Sequence, residues 1–276
     1  MNLGLGTAQF GSSYGVTNRR GQVQAAQVQD ILRFAAAKGV HVLDTAAAYG
    51  ESEAALGRAL WPGHPFRIVT KIAPGGAVRE SFSRSLECLR QDSVYGLLLH
   101  RAADMNDVVA GELLELKRQR LVSRVGVSAY DADELSRSRG FLSLDIVQAP
   151  VNLADQRLIR DGTLARLRAD GVEVHARSVF LQGLLLAEAE RMPLALRPIA
   201  AHARSAGISQ LALALGFVAQ VPEVDIALVG VTGLDELTAI TQAWRATPML
   251  HDYARLAVSD ETLLNPSRWP RTPVDA

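Results

Sequence analysis

Lysine is almost missing from this chain. Of 29 basic residues in 276, only Lys38, Lys71 and Lys117 are lysines, and the rest are arginine. A single cysteine, Cys88, excludes an internal disulfide and fits a reducing compartment. Acidic residues also number 29, so no global field draws the chain toward nucleic acid or an anionic membrane. The longest apolar stretch, 211–219, is too short to cross a bilayer, and Met1-Asn2-Leu3-Gly4 has neither the basic start nor the apolar run of a signal peptide. Composition therefore predicts a soluble, cytoplasmic protein with no nucleic-acid or membrane partner. His41, His64, His175, His202 and His251 show no ligand spacing, so no metal site is expected. A Gly-x-Gly-x-x-Gly turn is also missing, because Gly4-Leu5-Gly6 runs on as Thr7-Ala8-Gln9 without the third glycine.

What is present is alternation. Short apolar runs at 3–7, 40–44, 67–71, 96–100, 124–128, 145–149, 172–177 and 226–229 read as strands. Amphipathic stretches at 24–38, 51–60, 78–89, 107–119, 131–139, 162–169, 208–218 and 234–244 read as helices. Strands alternating with helices imply a parallel sheet. Eight units in this length predict an α/β fold, a closed (β/α)8 TIM barrel. It is read as one domain over 1–276, with 247–276 as a C-terminal tail anchored by Trp269. The interval between 177 and 230 is long enough to hold an extra helix. Polar or special residues end successive strands at Asp44, Lys71, His100, Ser128, Gln148, Arg177 and Gly230. A barrel brings all of these to one mouth, whereas an open sheet scatters them.

Lys71 closes an apolar strand, where a solubilising charge has no purpose. Arginine cannot be deprotonated and is a poor proton-transfer partner, so a lysine kept there points to chemistry. Asp44 and His100 end the neighbouring strands, and Tyr49 lies in the loop after Asp44. Each has an ordinary reading alone: a helix-capping aspartate, a hydrogen-bonded histidine, a surface tyrosine, a lysine stretched toward solvent. Together they suit proton donation to a carbonyl oxygen as hydride reaches carbon. A phenol is a weak acid, and a nearby ammonium is expected to lower its pKa.

These residues lie in segments that resemble an aldo-keto reductase: Leu5-Gly6-Thr7-Ala8-Gln9-Phe10-Gly11, Asp44-Thr45-Ala46 with Tyr49-Gly50, Thr70-Lys71, Leu97-Leu98-Leu99-His100, Gly126-Val127-Ser128 and Val147-Gln148. The resemblance implies Tyr49 as general acid, Lys71 as its partner, Asp44 as the carboxylate paired to Lys71, and His100 as the orienting residue. It also implies that Ser128 and Gln148 bind a nicotinamide carboxamide, with Gly6 and Thr7 beneath the cofactor. Arg177, Ser178, Gly230 and Thr232 complete the implied cofactor-binding set. The expected cofactor is NADP(H), with NAD(H) as the alternative, and the expected substrate is a small carbonyl compound, sugar types included. The segment from His175 to Gly183 is similar to a bacterial subgroup linked to sugar and polysaccharide gene clusters.

Three departures concern the cofactor. Ala129 stands where the family usually has Asn, Arg177 where it has a stacking aromatic, and Thr232 where it has Lys or Arg for a 2′-phosphate. Arg268 or Arg271 in the tail are candidates to compensate. For Arg177 the sequence also allows an ion pair with Asp44 or Glu173. Two other functions stay open: a nucleotide-binding regulatory barrel with little catalysis, and non-redox sugar epimerase or lyase chemistry by the same four residues. Substrate choice falls to loops 11–21, 182–198 and 247–276, where Tyr14, Arg19, Arg20 and Arg191 are candidate ligand contacts. The sequence does not give the oligomeric state.

Overall fold

The structure, a computed structural model, describes residues 1–246 and 252–269. Eight parallel strands form a closed barrel in chain order: β1 (Asn2–Gly6), β2 (Val42–Asp44), β3 (Arg67–Ile72), β4 (Val94–Leu99), β5 (Val122–Ser128), β6 (Ile146–Pro150), β7 (Glu173–Arg177) and β8 (Ile226–Gly230). The seam closes where Gly6 pairs with Asp44 on one side and Gly230 on the other. The expected helices are present, from Ala25–Ala37 to Leu234–Arg245, and Arg197–Ser205 is the extra helix of the long β7–β8 interval. Several strand ends differ from the sequence reading by one residue: β1 stops at Gly6, and β6 and β8 run on to Pro150 and Gly230. β3 runs one residue past Lys71 to Ile72, and β4 stops at Leu99, so His100 opens the following loop.

The two-residue period of a strand builds both the core and the mouth. Val42, Val69, Leu98, Ile146, Ile226 and Leu228 fill the lumen. Their neighbours, among them Leu43, Leu97, Val127 and Val147, turn outward into the layer beneath the helices. Small residues make this filling fit. A Cβ on Gly4 would lie 2.7 Å from both Ile226 and Leu228, and one on Gly126 would collide with the Ile146 carbonyl. Two positions beyond the lumen layer, the same strand faces deliver Asp44, Lys71, His100 and Gln148 to the C-terminal rim. The opposite end holds a polar cluster. There Tyr95 donates to Glu173 (2.5 Å), the His175 ring meets the other oxygen of that carboxylate (2.8 Å), and Arg124 donates to the Tyr95 oxygen (3.1 Å).

Residues 252–269 dock on the barrel. The Val258 amide donates to the Ala154 carbonyl (2.8 Å), Tyr253 packs edge-on against Phe217, and the Trp269 indole donates to the Thr262 carbonyl (3.0 Å). The remainder of the tail, Arg271 included, lies outside the described residues. Among those described, no helix is long and apolar enough to cross a membrane.

Leu98 is fully buried in the lumen. Leu98→Ala is expected to destabilise the fold by about 2–5 kcal/mol, read from urea unfolding midpoints.

Candidate active site

Lys71 is the hub of the rim, with its side chain 1% exposed. Its ammonium donates to both oxygens of Asp44 (2.7 and 2.8 Å), to the Thr45 carbonyl (2.9 Å) and, more weakly, to the Tyr49 hydroxyl oxygen (3.4 Å). The Gln148 amide nitrogen donates to Asp44 from the far side. Tyr49 is carried by the turn between β2 and the helix Ser52–Ala59, and its ring stands edge-on to His100 with centroids 5.4 Å apart. The four residues expected to act together are therefore in one cluster.

Electrostatics at the cluster differ from the sequence expectation. Burial, reinforced by Asp44, pushes the Tyr49 phenol above its ordinary value, and Arg177 only partly opposes this. Loss of solvation disfavours the phenolate, and Asp44, which binds Lys71 with two bonds, adds a like charge beside it. Burial and the charges of Lys71 and Arg177 hold the His100 imidazole down to about 4, against a smaller opposing effect of Asp44. His100 is thus neutral near pH 7, and its Nδ1 is buried without a hydrogen-bond partner.

Around the cluster lies a cavity of about 690 Å³. Gly6 forms part of its wall, and a Cβ there would find its nearest neighbour only at 3.7 Å. Thr7 turns its hydroxyl away from the cavity, to the Asp44 carbonyl (3.0 Å) and the Ser52 hydroxyl (2.8 Å), so its side chain braces β1 against β2. Ser128 and Gln148 both border the cavity, and the Gln148 Oε1 is buried with no partner. A buried carbonyl oxygen left unpaired is costly, and a ligand amide N–H would satisfy it. Gly230 leaves room for the Gln9 side chain, whose oxygen would sit 2.6 Å from an added Cβ.

Arg177 does not pair with Asp44 or Glu173. Its guanidinium lies over the Tyr130 ring (4.0 Å), donates to the Ala129 carbonyl (3.2 Å) and approaches the Ser178 hydroxyl (3.4 Å). Ser178 adopts the left-handed region (φ 57°), as do Leu181 and Gln182, so the loop after β7 is strained where it borders the cavity. Thr232 is engaged by the chain itself: its amide and hydroxyl both donate to Glu236 (2.6 and 2.8 Å) at the start of the helix Leu234–Arg245. A carboxylate thus occupies the end of the cavity where a cation was sought. Arg20 reaches the same region from the β1 loop, and its two terminal nitrogens bind the two oxygens of Asp235 (2.7 Å each). Arg19 and Tyr14 also line the cavity, whereas Arg191 pairs with Glu188 and Arg268 with Glu261.

Sequence reading missed Tyr130 and Glu236. Tyr130 stands two residues past Ser128, the spacing that returns a side chain to the same face. Glu236, four residues after Thr232, lies in the first turn of a helix, where an acidic side chain is favoured. Among the described residues, no group of three or more His, Cys, Asp or Glu side chains is arranged to hold a metal ion.

The profile described as the Aldo/keto reductase family matches residues 2–257. A D-arabinose 1-dehydrogenase of Saccharomyces cerevisiae is 30% identical, in an alignment covering 38% of this chain and 37% of that protein. The chain thus spans little more than a third of the length of that curated relative. Among solved structures, an aldo-keto reductase from Bacillus halodurans in holo form superposes with a TM-score of 0.76 at 18% identity, covering 100% of this chain and 95% of that one. An aldo-keto reductase from Klebsiella pneumoniae in complex with NADPH gives 0.73 at 22% identity, covering 96% and 92%.

The depressed His100 value has a sign that can be checked. Its unfolded value is near 6.5, so the stability tied to neutral His100 is complete above about pH 6.5 and is lost as pH falls toward 4. Proton NMR of the histidine ring is expected to show one imidazole titrating near 4; a midpoint near 6.5 for His100 contradicts this burial account.

Proposed function

Starting from the fact that the chain belongs to the aldo/keto reductase family, we propose that Tyr49 protonates the carbonyl oxygen of an aldehyde or ketone while the carbon is reduced at the expense of a nicotinamide nucleotide. The single observation that carries this reading is the Lys71–Asp44–Tyr49–His100 cluster at the mouth of the cavity. Lys71 donates to the phenol oxygen, which leaves the phenolic hydrogen free for the substrate. Because the phenol is held in its protonated form, it gives up that proton only as alkoxide character develops on the substrate. Neutral His100 beside the ring offers a hydrogen-bonding edge that fixes the carbonyl rather than a second charge.

The residues fit a nicotinamide. Ser128 and the unpaired Gln148 Oε1 would hold its carboxamide, Gly6 would give the ring room, and Ser178, Gly230 and Thr232, which line the same cavity, would border the rest of the nucleotide. When bound, a reduced nicotinamide supplies the hydride that no side chain can. NADP(H) stands first, by analogy with the NADPH held by the Klebsiella pneumoniae enzyme, and NAD(H) is the alternative. A sugar-type carbonyl is the substrate we favour, in keeping with the named activity of the yeast dehydrogenase. Nucleotide oxidation in the presence of aldehydes separates this reading from a regulatory barrel, and turnover without any nucleotide would instead support epimerase or lyase chemistry.

Tyr49→Phe is expected to lower turnover by about a hundred- to ten-thousand-fold while nucleotide binding persists. Steady-state kinetics with a fluorescence titration check both halves; undiminished turnover removes Tyr49 as the acid. Glu236 bears on nucleotide choice. Glu236→Gln removes a like charge from the cavity wall and is expected to strengthen NADPH binding about three- to tenfold relative to NADH. Titration of both variants with both nucleotides reads that ratio.

A further inference from the structure

The charges at the catalytic end of the cavity do not balance. Lys71 is matched by Asp44. Glu236 lies at the other end, held by Thr232, and Asp235 is taken by Arg20. Arg177 is left over: no carboxylate among the described residues lies within ion-pair distance of it. Tyr130 lies beneath it as a stacked ring, and the two hydrogen-bond acceptors of Arg177 are a backbone carbonyl and a hydroxyl, neither of them a carboxylate. A guanidinium has five N–H donors. Two are used, and the Nε–H is buried without a partner.

A partly buried, uncompensated cation with unused donors costs free energy unless an anion completes it. Arg177 lines the same cavity as Tyr49 and His100, so the missing anion belongs beside the reacting carbonyl. The flat face on Tyr130 fixes the plane of the fork, and a planar fork matches a carboxylate.

We infer that Arg177 is the receptor for a carboxylate on the substrate, and that the preferred substrates are aldehydes or ketones carrying an acid group, as in keto acids and uronic acids. This rests on the reductase reading for its chemistry, though not for its binding. It also accounts for a cation standing where the resemblance expects an aromatic.

The test pairs 4-carboxybenzaldehyde with its methyl ester, a neutral aldehyde of similar shape and reactivity. In the unaltered chain, kcat/KM for the acid is expected to exceed that for the ester about tenfold or more. Arg177→Gln should collapse the ratio to about one, and Arg177→Lys should recover part of it. A second arm needs no turnover and no variant: calorimetry with 4-(hydroxymethyl)benzoate and its methyl ester, on the nucleotide-loaded protein, should show tighter binding of the acid. An acid-to-ester ratio at or below one in both arms overturns the inference. So does a ratio that survives Arg177→Gln while nucleotide affinity falls, because Arg177 would then serve the nucleotide. If neither aldehyde is reduced but the acid still binds selectively, the reductase reading fails and the carboxylate receptor stands.

Discussion

The buried ion pair between Lys71 and Asp44 is the constraint on which the site rests. Two charges taken out of water cost several kcal/mol each, and mutual attraction repays this only when the remaining donors and acceptors are filled. Here they are filled. The ammonium has the two Asp44 oxygens and the Thr45 carbonyl, while Asp44 also accepts from Gln148. The pair thereby ties β2 to β3 and, through Gln148, reaches across the lumen to β6. Tyr49 has its hydroxyl positioned by the same ammonium, so the proposed proton donor and the barrel rim share one set of bonds.

The wider cavity shows how charge is divided along its length. Arg177 leaves the catalytic end net positive, and the same charge helps keep His100 neutral. At the other end, Glu236, in the first turn of its helix, accepts from the amide and hydroxyl of Thr232, two residues before that helix begins. Helix N-termini attract anions, so an internal carboxylate there is favourable for the chain and unfavourable for an incoming phosphate. The loop from β1 spans both regions. Thr17 approaches the Gln182 carbonyl (3.4 Å) on one side, and Arg20 binds Asp235 on the other.

Much of this was legible in the sequence because the strand period is short and regular. Once Val42, Val69, Leu98 and Ile146 are read as lumen residues, Asp44, Lys71, His100 and Gln148 must project at the rim. The rarity of lysine singled out Lys71 without reference to any other protein. Features that depend on burial and partner choice were not legible. The phenol shifts upward because it is buried and faces the charge of Asp44, and residue types alone do not reveal that depth of burial. Thr7 and Thr232 line the cavity as expected, yet both hydroxyls are committed to other protein groups. The Arg177–Tyr130 stack joins two strand ends remote in sequence, and only the closed barrel brings them together.

The wrapping of Lys71 has a chemical consequence for the proposed reduction of carbonyl compounds. A free amine next to an aldehyde condenses with it to a Schiff base, which would inactivate the site. Burial lowers the Lys71 pKa, but the Asp44 oxygens and the Thr45 carbonyl around Nζ favour the ammonium, which has no lone pair to offer as a nucleophile. In the proposed reaction, the contacts that hold this lysine beside Tyr49 also protect it from the substrate.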